Sequence, residues 1–194
     1  CVYYNKMKKS IVFILTFIGY LSVTSIRYGW SYSKPQLNRE TDISMKAIGM
    51  VDSFYIGLYS VGMVVLGSLM HKISPKNYVI MGLSISSISY MLYPIIFNFA
   101  HIKSVILLLF FMSLNGFFQA TGWPGLMGIV GNEFRDNKKG ILMAFWAMSG
   151  NFGNIYASTT CNILEISGFS IIYNYLATGL PGIVVSILIY IYLS

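Results

Sequence analysis

Six apolar stretches, at roughly 11–33, 50–70, 78–99, 104–131, 140–161 and 169–192, decide the surroundings in which this chain must fold. Each is close to the ~20 residues that a helix needs to cross the hydrocarbon core of a bilayer. In lipid every backbone N–H and C=O must be paired within the protein, because an unpaired group costs several kcal/mol. Only helices and closed barrels meet that demand. A barrel would show strands of about ten residues with strict alternation. Residues 105–112 and 183–192 are instead long apolar runs without alternation. The pattern predicts an all-α membrane protein, with residues 1–194 forming one bundle of six transmembrane helices.

Charge agrees with that reading. Only 10% of the residues are charged and the mean hydropathy is +0.67, whereas a soluble chain carries about 25% charged residues. The net charge of +7 raises the question of nucleic acid. The cations, however, sit in short clusters between apolar runs (Lys6/Lys8/Lys9, Lys72/Lys76, Arg135/Lys138/Lys139). Such clusters mark membrane topology rather than a basic stripe, so no nucleic-acid partner is expected. With the N-terminus in the cytoplasm, those clusters face inwards. Lys34, Arg39, Lys46 and Lys103 then face outwards beside Glu40, Asp42 and Asp52. The excess of inner cations favours that orientation.

Cys1 and Cys161 form no CxxC motif and no disulfide framework. The first apolar run is too long for a signal peptide and lacks a small-residue cleavage site. A chain beginning at Cys1 and stopping where its last apolar run ends reads as a fragment or as the product of a truncated gene model.

The loops are short, so chemistry must come from polar groups inside the bundle. Ionisable residues within a span cost on the order of 2.5–3.5 kcal/mol at its centre and mark candidate sites. In span 1, Arg27 and Lys34 are seven residues apart. They therefore share a helical face, separated by about 10 Å, with Trp30 between them. They read either as interfacial anchors beside Tyr28 and Tyr32 or as a cationic wall facing a cavity that attracts an anion. Pro35 is expected to kink or end that helix. In span 4, Asn115, Gln119 and Trp123 recur every fourth residue, just before the sequence Gly122-Trp123-Pro124-Gly125. They read as a packing seam with a kink or as a substrate-contacting face on a distorted span. In span 5, Asn151 and Asn154 offer hydrogen bonds either to the same cavity or between helices. There is no Ser/His/Asp triad, P-loop or metal-ligand cluster, and His71 and His101 fall in loops on opposite predicted sides. No enzymatic activity, cofactor or metal is therefore expected.

The stretch Asn115-Gly116-Phe117-Phe118-Gln119-Ala120-Thr121-Gly122-Trp123-Pro124 resembles the NG-x-x-Q-x-x-GWP pattern of the organophosphate:phosphate antiporters of the major facilitator superfamily. Gly131-Asn132-Glu133-Phe134, Lys139-Gly140, Trp146 and Gly153-Asn154-Ile155 are most similar to the eukaryotic sugar-phosphate exchanger branch. In span 2, Asp52, Tyr59, Gly62 and Met63 follow in a similar order. The resemblance implies the N-terminal half of a twelve-helix fold, built as a 3+3 inverted repeat, with a missing C-terminal six-helix half completing a central site. Aligned on Lys34-Pro35, the arginine that the family uses for phosphate falls at Ser33. The span 2 lysine of bacterial members falls at Met63, the span 5 histidine at Gly150 and the acidic loop residue at His71.

The expected function is secondary active transport of a sugar phosphate or related organic anion by alternating access, with inorganic phosphate as counter-substrate. The expected substrate-binding residues are Arg27, Trp30 and Lys34 for charge and orientation, and Asn115, Gln119, Trp123 and Asn151 for hydrogen bonds and stacking. The alternative is a non-transporting membrane sensor or scaffold that retains the fold.

Overall fold

The computed structural model describes residues 2–70, 72–100, 103–134 and 139–193, with backbone alone for 2–8 and 139. The described residues form helices α1 (Val2–Thr41), α2 (Met45–Leu69), α3 (Pro75–Ala100), α4 (Val105–Gln119), α5 (Gly122–Glu133), α6 (Lys139–Ala147), α7 (Ser149–Ile166) and α8 (Ile171–Tyr192). Local chemistry sets several of these ends. Ser44 and Ser104 cap α2 and α4, each side chain accepting a backbone N–H three residues on, at 3.3 Å. Pro75 opens α3, where its missing N–H costs nothing. Gly168 turns the chain from α7 to α8 at φ +75°, a conformation that suits a residue without Cβ.

Two spans are broken. The α4–α5 junction lies at Ala120–Thr121, where the Thr121 N–H reaches back only three residues, to Phe118 O at 3.2 Å. Pro124, with no N–H to give, sits in the first turn of α5 just beyond the break. The α6–α7 junction lies at Met148, whose N–H donates to Phe145 O at 3.2 Å. Pro35, by contrast, does not end α1, which continues to Thr41. Beyond the proline, α1 is held by side chains: Gln36 and Glu40 bind the start of α8.

Among the described residues five segments are long and apolar enough to cross a membrane: 9–41, 45–69, 75–100, 105–133 (α4 with α5) and 171–192. The sequence run at 140–161 is not among them. It is interrupted at Met148, and α7 carries Ser149, Asn151, Asn154, Ser158, Thr159, Thr160 and Asn162. Large apolar side chains stand on the outer surface, Ile106 and Ile166 among the most exposed. Lipid rather than water is the solvent that suits them.

The packing has an internal symmetry. Helix α1 packs on α7 and α8, and α4 packs on α2 and α3, while α3 and α8 pack on each other. Exchanging the first triplet (α1, α2, α3) for the second (α4–α5, α6–α7, α8) leaves this set of neighbours unchanged. That symmetric set of neighbours is the one a 3+3 inverted repeat requires, in which two three-helix units run oppositely through the bilayer. Glycines mark the equivalent contacts. A Cβ on Gly62 of α2 would stand 2.4 Å from Phe117 O of α4, and one on Gly153 of α7 would stand 2.5 Å from Leu21 O of α1. At both places helix backbones approach more closely than any side chain permits.

Candidate functional site

Helical periodicity on two helices makes one cavity. On α1, Arg27, Tyr28, Trp30, Ser31 and Lys34 fall on one face; on α2, Asp52, Tyr55, Ile56 and Tyr59 do the same. Between them lies a space of about 380 Å³, within the range of small-molecule sites. Arg27 and Lys34 thus line one cavity, in keeping with their spacing of seven.

The two cations differ in electrostatic state. Lys34 Nζ is 2.6 Å from Asp52 Oδ2, and Trp30 Nε1 donates to Asp52 Oδ1 at 2.6 Å. Both oxygens of Asp52 are therefore engaged and Lys34 is neutralised. Arg27 has no carboxylate within ion-pair distance among the described residues. Its Nε donates to Gln119 Oε1 at 3.3 Å, and its guanidinium lies 4.6 Å from the centre of the Tyr59 ring. Contact through Nε and through the face of a ring holds the group without cancelling its charge.

Gln119 of α4 is buried and fully committed. Its oxygen accepts from Arg27 and from the Tyr55 hydroxyl, while its amide nitrogen donates to Val23 O at 3.3 Å. Donors on one side and an acceptor on the other fix the orientation of the amide. Gln119 thus positions Arg27 and ties α4 to both α1 and α2.

The remaining residues point elsewhere. Asn115 is buried outside the cavity lining, with Nδ2 donating to Ser86 O at 2.8 Å and to Ser86 Oγ at 3.2 Å. Trp123, carried on α5 beyond the break, packs on Tyr20 and Trp146 with ring centroids 5.0 and 5.5 Å away. Asn151 is exposed on α7, and Asn154 accepts from the Tyr32 hydroxyl at 2.9 Å. Ser33 is fully buried, 3.8 Å from Cys161 Sγ, so position 33 faces α7 rather than the cavity. His71 and His101 lie outside the described residues.

Tyr28, Ser31, Asp52, Tyr55, Ile56 and Tyr59 line the cavity but are absent from the site expected on sequence grounds. The signal was available for Asp52, since it is an ionisable residue within a predicted span, as Arg27 is.

The model of the Major Facilitator Superfamily matches residues 12–194. "Putative glycerol-3-phosphate transporter 3" of Arabidopsis thaliana is 24% identical over 97% of this chain and 40% of its own length. "Putative glycerol-3-phosphate transporter 4" of the same plant is 31% identical over 76% of this chain and 26% of its own length. "Glucose-6-phosphate exchanger SLC37A2" of Bos taurus is 27% identical over 71% of this chain and 28% of its own length. The chain spans at most about two fifths of the length of these relatives. With the apolar helices and the two interlocked triplets, the match makes this an integral, multi-pass membrane protein. The chain belongs to the major facilitator superfamily.

Proposed function

We propose that this bundle is the N-terminal half of a secondary transporter that moves a sugar phosphate or related organic anion by alternating access, in exchange for inorganic phosphate. The observation that carries the reading is the state of Arg27. It is a half-buried guanidinium inside a membrane-spanning bundle, on the wall of a cavity, without a carboxylate partner among the described residues. An uncompensated cation at that depth is expensive and is retained where it meets an anion. The names of the relatives, glycerol-3-phosphate transporters and glucose-6-phosphate exchangers, agree on a phosphorylated cargo. In this reading Arg27 and Lys34 attract the anion, Trp30 and Gln119 orient the two cations, and a second six-helix half closes the site. Helices α6 and α7 together make the fifth crossing, and the N-terminus is cytoplasmic. Asn115 serves helix packing, Asn151 lies outside the site, and Trp123 supports the bend between α4 and α5.

The test is exchange of labelled phosphate in proteoliposomes containing the complete gene product. Exchange that competes with a sugar phosphate and disappears in Arg27→Gln supports the reading. Wild-type exchange in Arg27→Gln removes the site assignment. Ligand-dependent thermal stabilisation without flux favours a sensor over a transporter.

A further inference from the structure

Among the described residues Asp52 is the one carboxylate in the cavity lining. An acidic side chain in a span carries its own insertion cost, and here it faces the same space as the cation that an incoming anion would use. Its geometry is not that of a pair sealed between helices. The side chains of Lys34 and Asp52 keep 20% and 30% of their exposure, so the pair is open to the cavity. Trp30, itself only 2% exposed, donates its indole N–H to the other oxygen and fixes the carboxylate on the wall. Lys34 also lies 5.5 Å from the centre of the Trp30 ring, which keeps the ammonium beside its counter-ion. An anion that reaches Lys34 must therefore displace Asp52 or share the ammonium with it.

Resting on the transport reading above, we propose that Asp52 is a resident counter-anion. It occupies Lys34 while the cavity is empty, competes with the cargo for it, and so sets how tightly the anion is held and how readily it leaves. The physical basis is direct. A fixed carboxylate at contact distance offsets one of the two cations and repels a second anion beside it. A carrier gains from this, because cargo bound too tightly is not released on the far side. The carboxylate that refills Lys34 as the anion departs stabilises the emptied cavity.

The experiment measures binding of labelled inorganic phosphate to the complete protein in detergent, with exchange in proteoliposomes measured alongside. Asp52→Asn keeps the shape and removes the charge. It should tighten the phosphate Kd by about three- to tenfold while slowing exchange at saturating phosphate. Asp52→Glu, which restores a carboxylate, should return the Kd towards wild type. The tightening should vanish in the Lys34→Met background, with Lys34→Met/Asp52→Asn matching Lys34→Met within about twofold. If Asp52 serves only to hold α1 to α2, Asp52→Asn will lower the melting temperature and leave phosphate affinity unchanged or weaker. That result, with wild-type exchange intact, overturns the proposal and spares the transport reading. Folded wild type and Asp52→Asn that both fail to bind phosphate would overturn the two together.

Discussion

Arg27 of α1 and Gln119 of α4 meet in the interior of the bundle, Nε donating to Oε1 across 3.3 Å, and that contact decides how the cation is presented. Because the bond uses the oxygen of a neutral amide, Arg27 is oriented while its charge stays available. Gln119→Glu replaces the acceptor by a carboxylate of the same shape and turns the contact into an ion pair. Phosphate exchange should fall by about tenfold or more, since a fixed anion near 3 Å cancels most of the field of the arginine. The carboxylate also loses the Nε2–H bond to Val23 O and sets an oxygen against that carbonyl, which lowers the melting temperature, so exchange is compared per unit of folded protein. Full exchange in Gln119→Glu would mean that Arg27 does not act on the cargo through its charge.

The paired glycines predict a symmetric stability effect. Gly62→Ala sets a methyl group 2.4 Å from Phe117 O, and Gly153→Ala sets one 2.5 Å from Leu21 O. Backbone cannot yield as a flexible side chain does, so the helices must separate. Each change should cost about 1–3 kcal/mol, read as a lower unfolding temperature in detergent. Gly57→Ala on α2 meets nothing within 4 Å and should be neutral or slightly stabilising, because alanine is the better helix former. Equal tolerance at all three positions would count against the close approach of α2 to α4 and of α7 to α1.

Much of the fold was legible in the sequence. The apolar runs announced helices in lipid, and Pro124 with its glycines announced a distorted span 4, which the structure breaks one turn earlier. The break at Met148 was not legible, because no proline stands there and α6 simply stops one residue short of α7. Within the site, a spacing of seven was enough to place Arg27 and Lys34 on one face. It said nothing about Asp52, since a helical period describes one helix and not the neighbour that covers it. For the same reason Asn115 and Gln119, four apart on α4, turn to different partners: Ser86 of α3 for one, Arg27 and Tyr55 for the other. The continuation of α1 past Pro35 also had to be seen. Its support comes from tertiary contacts made by Gln36 and Glu40.

Those contacts predict that Glu40 anchors α8. Its oxygens accept the Ile171 N–H at 3.0 and 3.1 Å and the Ser170 hydroxyl at 3.1 Å, and Gln36 Nε2 donates to the same carboxylate at 2.6 Å. A carboxylate at a helix N-terminus satisfies open donors and opposes the positive end of the helix dipole. Glu40→Gln should cost about 1 kcal/mol and Glu40→Ala about 2 kcal/mol, again read from unfolding in detergent. Phosphate affinity should be unchanged in both, since Glu40 does not line the cavity. An altered Kd would show that the C-terminal end of α1 communicates with the site.

The burial of Ser33 yields the sharpest test of which face of α1 meets the cargo. Alignment to the antiporter family puts the phosphate arginine at position 33, yet Ser33 is fully buried beside Cys161 of α7. Its neighbour on the cavity is Lys34. Ser33→Arg should therefore not supply a second cavity cation. It should force an unpaired guanidinium between α1 and α7, at a cost of several kcal/mol, and lower the amount of folded protein. The informative variant is Ser33→Arg combined with Arg27→Gln. If Arg27 is the working cation, the double variant exchanges no more phosphate than Arg27→Gln alone, per unit of folded protein. Recovery of exchange would put residue 33 in the cavity, rotate α1 by about 100° relative to its neighbours, and reassign the charge to the family position.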